Sequence, residues 1–193
     1  MPHPSITEIL QADLVRDRQS AIACLKDFGW LLIPDVTVEG VSQGQQGIFH
    51  ALSLGTDFIV DFATYQMWGR RLVWYLVSIA SPQANILSRE GSTTEWNRAL
   101  DQVEQWRQCI LVSGPGILPS LNLDEYQTLV GYRIVIGRSR DQTDEEREII
   151  GMHRRNDLRI RSFDWLLEKP EHYTTSEIET LNQIGRAKQA GAE

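Results

Sequence analysis

Residues 74–82 read WYLVSIASP, and this stretch decides the fold that the sequence predicts. In it Val77 and Ile79 alternate with Ser78 and Ala80. Side chains on a β-strand point alternately to the two faces of a sheet, so the pattern places these pairs on opposite faces. We expect Val77 and Ile79 to face a layer of helices, and Ser78 and Ala80 to face a cleft.

A second β-rich run, residues 56–64, precedes this stretch and carries Asp61. The turn-like residues 67–71 join it to residues 72–79, which predicts a β-hairpin. Near-neighbours on paired strands have Cβ atoms within about 8 Å of each other. We therefore expect Asp61 to lie beside Ser78.

The rest of the chain alternates helical and strand patterns, which predicts the α/β class. Apolar residues at helical spacing predict one long first helix over residues 6–28. A later helix carries Gln102 beside an apolar stripe that includes Val103 and Trp106, and Ser92 with Glu95 predicts a capping box at its start. Further patterns predict strands at residues 131–137 and 158–161, and helices at residues 163–167 and from residue 174 onwards.

Composition is typical of a globular protein with one principal domain. The chain has 193 residues, of which 41% are hydrophobic and 23% are charged. It has no apolar run near the ~20 residues of a membrane span, and its start lacks a secretory pattern, so we expect a cytoplasmic protein without membrane contact. Cys24 and Cys109 are too few for a disulfide framework and are expected to be free thiols.

The formal net charge of −7 argues against a protein that coats nucleic acid non-specifically. A local basic face is still compatible with this charge, and double-stranded DNA is its expected ligand. The alternative is a set of solvated charges that flank a strand. The densest cluster comprises Arg154, Arg155, Arg159 and Arg161, and a second comprises Arg70 and Arg71.

Four blocks of the sequence carry a resemblance to a known family. They are Asp61 with residues 77–82, then residues 99–106, 135–138 and 161–167. In this order they resemble the C-terminal nuclease domain of Shedu anti-phage defence proteins. That family belongs to the PD-(D/E)XK superfamily, and the resemblance implies a restriction-endonuclease-like core with a central mixed β-sheet flanked by helices.

The resemblance also implies a division of the chain and a set of site residues. Residues 1–50 would form an N-terminal helix and connecting segment, residues 51–170 the nuclease-like core, and residues 171–193 a C-terminal helix and tail. Asp61 falls on the metal-binding aspartate of the family, and Gln102 falls on the glutamine that follows the core.

Two positions of the catalytic strand depart from the family pattern. The family has Glu at the position of Ser78 and Lys or Glu at the position of Ala80. Mg²⁺ takes hard oxygen ligands, commonly one or two carboxylates together with phosphate and water. Asp61 alone therefore predicts weak or absent Mg²⁺ binding and poor activation of water. Outside catalysis, Asp61 has a second interpretation as the acceptor of a backbone hydrogen bond.

Three functions follow from these residues. The first is a Shedu-like nuclease-fold protein with impaired catalysis that serves in binding or scaffolding. The second is an active Mg²⁺-dependent DNA endonuclease that pairs Asp61 with a displaced acid such as Glu90 or Glu95, or one inactivated by substitution at position 78. The third is a protein-interaction module that keeps only the fold. Only about the first 50 residues are left for sensing, so we expect a partner protein or a second copy to supply the trigger.

Overall fold

The computed structural model describes residues 6–119, 121 and 126–189. The strands of its central sheet are β1 (Gln46–Leu54), β2 (Phe58–Trp68), β3 (Arg71–Ile79), β6 (Gln127–Val135), β7 (Leu158–Arg161) and β8 (Lys188–Gln189). This mixed sheet has the strand order β7-β6-β3-β2-β1, and the two-residue strand β8 extends it beside β1. A separate small ribbon pairs β4 (Leu87–Ser88) with β5 (Gly91–Ser92).

The sheet joins an antiparallel meander to a parallel half. Strands β1, β2 and β3 pair antiparallel, whereas β6 pairs parallel with β3 and β7 pairs parallel with β6. Parallel neighbours need a crossover, and helices provide both of them here. The first is α4 (Thr94–Ser113) and the second is α5 (Asp144–His153).

Helices cover both faces of the sheet. Opposite α4 lie α1 (Ile6–Asp13), α2 (Arg18–Asp27), α3 (Val38–Ser42), α6 (Phe163–Glu168) and α7 (Thr175–Ile184). The α4-side core includes Trp74, Leu76, Ala80, Val103, Trp106 and Ile134. The α2-side core, on the other face, includes Leu25, Trp30, Phe62, Val77, Ile79 and Phe163. Short 3-10 helices span Gly29–Leu32, Pro115–Ile117, Ser139–Asp141 and Lys169–His172.

This architecture confirms the α/β class with a mixed central sheet between helices. The predicted hairpin is formed by β2 and β3, and Val77 and Ile79 face the α2-side core as expected. Helix α4 packs on the sheet through Val103 and Trp106, also as expected. In the part of the chain that the structure describes, no helix is long and apolar enough to cross a membrane.

The prediction of one helix over residues 6–28 is wrong. Helix α1 ends at Asp13, and α2 begins at Arg18 after Asp17, whose extended backbone (φ −162°) interrupts the helix. The Asp17 side chain accepts a hydrogen bond from the Ser20 backbone N–H at 2.8 Å, which caps α2. The apolar spacing continues through the break because both helices pack on the same core.

The predicted capping box at the start of α4 is also wrong. Its N-cap is Thr93, whose hydroxyl accepts a hydrogen bond from the Trp96 backbone N–H at 3.3 Å. Glu95 has no capping role here and instead accepts a hydrogen bond from the Ser81 backbone N–H, just after β3.

Strand β2 changes its facing at Asp61. Val60 packs in the α4-side core and Phe62 in the α2-side core, although residues two apart on a regular strand share a face. The β1–β2 ladder continues on both sides of this point but skips the pair Ala51–Asp61, and Ala51 has a positive φ of 53°. This irregularity leaves the Asp61 side chain beside the end of β3.

Candidate functional site

The Asp61 carboxylate lies where β2 and β3 separate. The β2–β3 ladder ends at the pair Phe62–Val77, and one residue further the Asp61 side chain spans the widening gap. Its Oδ2 accepts a hydrogen bond from the Ile79 backbone N–H at 2.8 Å. The structure therefore contains the backbone hydrogen bond to Asp61 that the sequence suggested as its second interpretation.

Arg18 holds the same carboxylate from the opposite side. This residue begins α2, and its Nη2 donates to Asp61 Oδ1 at 2.9 Å and to Oδ2 at 3.0 Å. Its Nε donates to the Ile79 carbonyl oxygen at 2.6 Å. The Asp61 side chain is 14% exposed and the Arg18 side chain 35%, so the carboxylate is the more shielded partner of this ion pair.

The guanidinium of Arg18 thus contacts three oxygens that converge at the end of β3. Two carboxylate oxygens and a backbone carbonyl are hard ligands of the kind that Mg²⁺ takes. Here they contact a cation that belongs to the protein itself. Sequence reasoning missed Arg18, because it precedes Asp61 by 43 residues and no local motif links the two.

Ser78 and Gln102 form the second polar contact of the site. The Ser78 hydroxyl donates to Gln102 Oε1 at 2.8 Å, and Ser78 is only 2% exposed. Ala80 is equally buried and belongs to the α4-side core. A charged side chain at position 78 or 80 would enter an apolar layer, where it would need a partner.

Asp61 and Ser78 each contact a residue that lines one cavity. Their partners, Arg18 and Gln102, both line a space of about 580 Å³ beside α4. The other lining residues are Thr94, Asn97, Arg98, Asp101 and Gln105. The lining therefore contains two arginines and one carboxylate, a balance that does not favour a divalent cation.

The two displaced acids considered from the sequence differ in position. Glu95 is in the first turn of α4, where its Oε1 accepts a hydrogen bond from the Ser81 backbone N–H at 2.7 Å and lies 3.4 Å from Arg98 Nη2. Glu90 lies in the exposed turn between β4 and β5. Asp61 and Glu95 thus bind backbone amides two residues apart along one chain segment, at Ile79 and Ser81.

The residues present do not fit a Mg²⁺ ion as they stand. Within residues 6–119, 121 and 126–189, no three His, Cys, Asp or Glu side chains are grouped as metal ligands. The carboxylate of Asp61 is engaged by Arg18, and the neighbouring hydroxyl of Ser78 is engaged by Gln102. A divalent ion would have to displace Arg18 before it could bind.

The four candidate DNA-binding arginines do not all face the same side of the sheet. Arg159 and Arg161 alternate with side chains of the α4-side core and so face the other way. Burial lowers the pKa of Arg161, and the charges of Arg154 and Arg159 lower it further. These three arginines are therefore close enough to interact electrostatically. Arg155 instead reaches α4, with its Nη1 3.7 Å from Glu104.

Comparison with known proteins leaves the family open. No protein-family model matches the sequence, and no curated protein matches it. The resemblance to Shedu nuclease domains and the division of the chain that it implies stay predictions.

Proposed function

We propose that this chain is a Shedu-like nuclease-fold protein in which an internal ion pair has replaced the catalytic metal site. It serves anti-phage defence as a non-catalytic binding or scaffolding module. The observation that carries the proposal is the contact of Arg18 with Asp61 and with the Ile79 carbonyl.

The order of the elements supports the nuclease-fold part of the proposal. A three-stranded antiparallel meander leads through α4 into two parallel strands, β6 and β7. Asp61 lies on the second strand of the meander and Ser78 on the third, where these strands separate. Gln102 follows on the crossover helix and contacts Ser78 directly. This arrangement of Asp61, Ser78 and Gln102 on neighbouring elements supports the proposal.

The chemistry of the same residues supports the non-catalytic part. Mg²⁺ gives up its water ligands reluctantly, so its binding depends on carboxylates that are available to replace them. The site has one such carboxylate, and a tethered guanidinium already neutralises it. Ser78 offers a neutral hydroxyl, and Ala80 offers no ligand or proton donor. Activation of a water molecule by a bound metal ion is therefore lost.

Restoration of the site tests the proposal. Wild-type protein should not nick supercoiled plasmid DNA in Mn²⁺ buffer. The triple variant Arg18→Gln, Ser78→Glu, Ala80→Lys removes the internal cation and supplies both missing groups, and it should nick plasmid. Adding Asp61→Asn to the triple variant is the matched control and should abolish that activity. Metal-dependent nicking by the wild type that is lost in Asp61→Asn would overturn the proposal.

The position of Glu95 favours one second candidate, an active Mg²⁺-dependent endonuclease. The two amides that Asp61 and Glu95 bind are two residues apart, a separation of at most ~7 Å, so both carboxylates flank the end of β3. In this candidate Glu95 replaces the acid missing at position 78. Wild-type nicking that disappears in both Asp61→Asn and Glu95→Gln would establish it, and Glu90→Gln is the control that should keep full activity.

A further inference from the structure

Two buried cations lie close together on the face of the sheet opposite α4. Arg133 of β6 is 4% exposed, and Lys169, which follows α6, is 5% exposed. The Trp165 ring lies against both, with its centroid 4.9 Å from Arg133 Cζ and 4.5 Å from Lys169 Nζ. Arg133 Cζ also lies 4.7 Å from the Tyr75 ring centroid. This arrangement is independent of the Asp61 site.

Backbone carbonyls are the hydrogen-bond acceptors of this pair. Arg133 Nη1 donates to the Leu32 carbonyl at 2.7 Å, and Lys169 Nζ donates to the adjacent Ile33 carbonyl. In the described part of the chain, neither cation forms an ion pair with a carboxylate. Arg133 Nε is buried and has no hydrogen-bond partner there. Buried cations without a directly paired carboxylate destabilise a fold, and an anion in contact with both would offset that cost.

The surroundings of the pair make the Lys169 amine less basic than a solvated lysine amine. Burial lowers its pKa well below the usual range, the charge of Arg133 lowers it further, and Asp35 opposes the shift. Burial lowers the pKa of Arg133 only to about 10, so the guanidinium keeps its charge at neutral pH. The pair is therefore an amine of lowered pKa beside a guanidinium that stays charged.

A cavity lies beside Lys169. It has a volume of about 390 Å³, and Lys169 lines it together with Trp165, His172 and Tyr173. Its remaining lining includes the acids Asp35 and Glu168. These carboxylates disfavour the entry of a preformed anion, whereas a small uncharged reagent meets no such barrier.

We propose that Lys169 is a carbamylation site that takes up carbon dioxide. The lone pair of Nζ attacks the carbon of CO₂ and forms an N–C bond, and one C=O π pair moves onto oxygen. A proton leaves Nζ for solvent, so the product is a carbamate anion. The modification supplies the anion that Arg133 lacks, and the remaining N–H of the carbamate can still donate to the Ile33 carbonyl.

Chemical trapping at the level of peptides tests the proposal. Wild-type protein is equilibrated with ¹³C-bicarbonate at neutral pH, alkylated with triethyloxonium ion, digested and analysed by mass spectrometry. The chain has three lysines, and Lys26 and Lys188 are exposed internal controls. Lys169 should carry at least about ten-fold more ethyl carbamate than either control, because the neutral fraction of an amine rises ten-fold for each unit by which its pKa falls.

A spectrum of the untrapped protein provides a second test that does not depend on the access of the alkylating reagent to Lys169. The ¹³C NMR spectrum of the untrapped protein should show a carbamate resonance that disappears in Lys169→Arg and persists in Lys26→Arg. Folded Arg133→Met, checked by circular dichroism, should lose most of that resonance. Absence of the resonance from the wild type, or equal labelling of the three lysines, would overturn the proposal. A full resonance in folded Arg133→Met would overturn the role of Arg133.

Discussion

At the scale of single residues, Asp61 joins the end of β3 to the start of α2 through hydrogen bonds with Ile79 and Arg18. Its place on β2, which pairs with β3, followed from the hairpin pattern. Its partner did not, because the contact with Arg18 depends on how α2 packs against the sheet. The sequence therefore predicted the paired strands that carry Asp61 and Ser78, but not the cation that contacts Asp61.

The Arg18–Asp61 contact should contribute measurably to stability. Asp61→Asn should lower the free energy of unfolding by about 1–3 kcal/mol, because it leaves a partly buried guanidinium without its counterion. Urea denaturation measures the loss, and a double-mutant cycle with Arg18→Met isolates the pair. Asp57→Asn, on the exposed turn before β2, is the control. A loss below about 0.5 kcal/mol would be typical of a solvated surface pair and would contradict the contact.

Lys169 should make stability rise with pH in the alkaline range. Its pKa is lowered in the folded state, so between the folded and unfolded pKa values the unfolded chain binds one proton more. This contribution is fully present above the unfolded pKa and is lost as pH falls towards the folded one. Urea titrations from neutral pH to about pH 10 should show the rise in the wild type, and Lys169→Met should flatten it. The same slope in both proteins would show that Lys169 keeps its charge.

At the scale of elements, periodic patterns predicted β2, β3, α4 and β7, because each buries one face at a regular spacing. Breaks in the pattern were not predicted. The change of facing in β2 at Asp61 and the break between α1 and α2 at Asp17 depend on side-chain contacts. They were not predicted because the apolar spacing continues across both positions. The first turn of α5 is a similar case. No pattern in the sequence predicted that Glu146 would bind a loop 60 residues earlier.

Glu146 fastens α5 to the segment after β3. Its carboxylate accepts hydrogen bonds from the backbone N–H groups of Ile86 at 2.8 Å, Leu87 at 3.0 Å and Thr143 at 3.0 Å. Burial alone would raise its pKa, but these hydrogen bonds outweigh burial and lower it. Its stabilisation is therefore present above the unfolded pKa of about 4.3 and is lost as pH falls through the lower folded value.

Glu146→Gln should accordingly cost roughly 1–3 kcal/mol at neutral pH and less in acid. Urea midpoints measured from pH 7 to pH 3 would show the two proteins converging. The neighbouring exposed Glu145→Gln is the matched control and should track the wild type at every pH. A constant difference between Glu146→Gln and wild type would mean that this carboxylate does not titrate with folding.

At the scale of the whole molecule, the order of strands was beyond the sequence alone. Helix and strand patterns establish the α/β class, whereas the placement of β6 beside β3 depends on long-range pairing. The placement of charged side chains was also beyond the sequence alone. The four arginines around β7 are close in sequence, yet the alternation of the strand and the contact with Glu104 divide them between two faces.

That these four arginines bind duplex DNA stays a prediction. The fourfold Arg→Ala variant at positions 154, 155, 159 and 161 should weaken duplex binding equally for all sequences. It should also reduce the slope of log K against log salt by about 0.9 for each phosphate that the protein no longer neutralises. Gel shifts across a salt series measure both, and Arg70→Ala with Arg71→Ala is the control for a second basic pair. Unchanged affinity in the fourfold variant would remove this surface from DNA binding.

Calorimetric titration with Mn²⁺ shows whether Arg18 has replaced the metal ion. Wild-type protein should bind Mn²⁺ no more tightly than the millimolar range, a dissociation constant equivalent to about −4 kcal/mol, and Asp61→Asn should change this little. Micromolar binding by the wild type that is abolished by Asp61→Asn would contradict the replacement of the metal ion by Arg18.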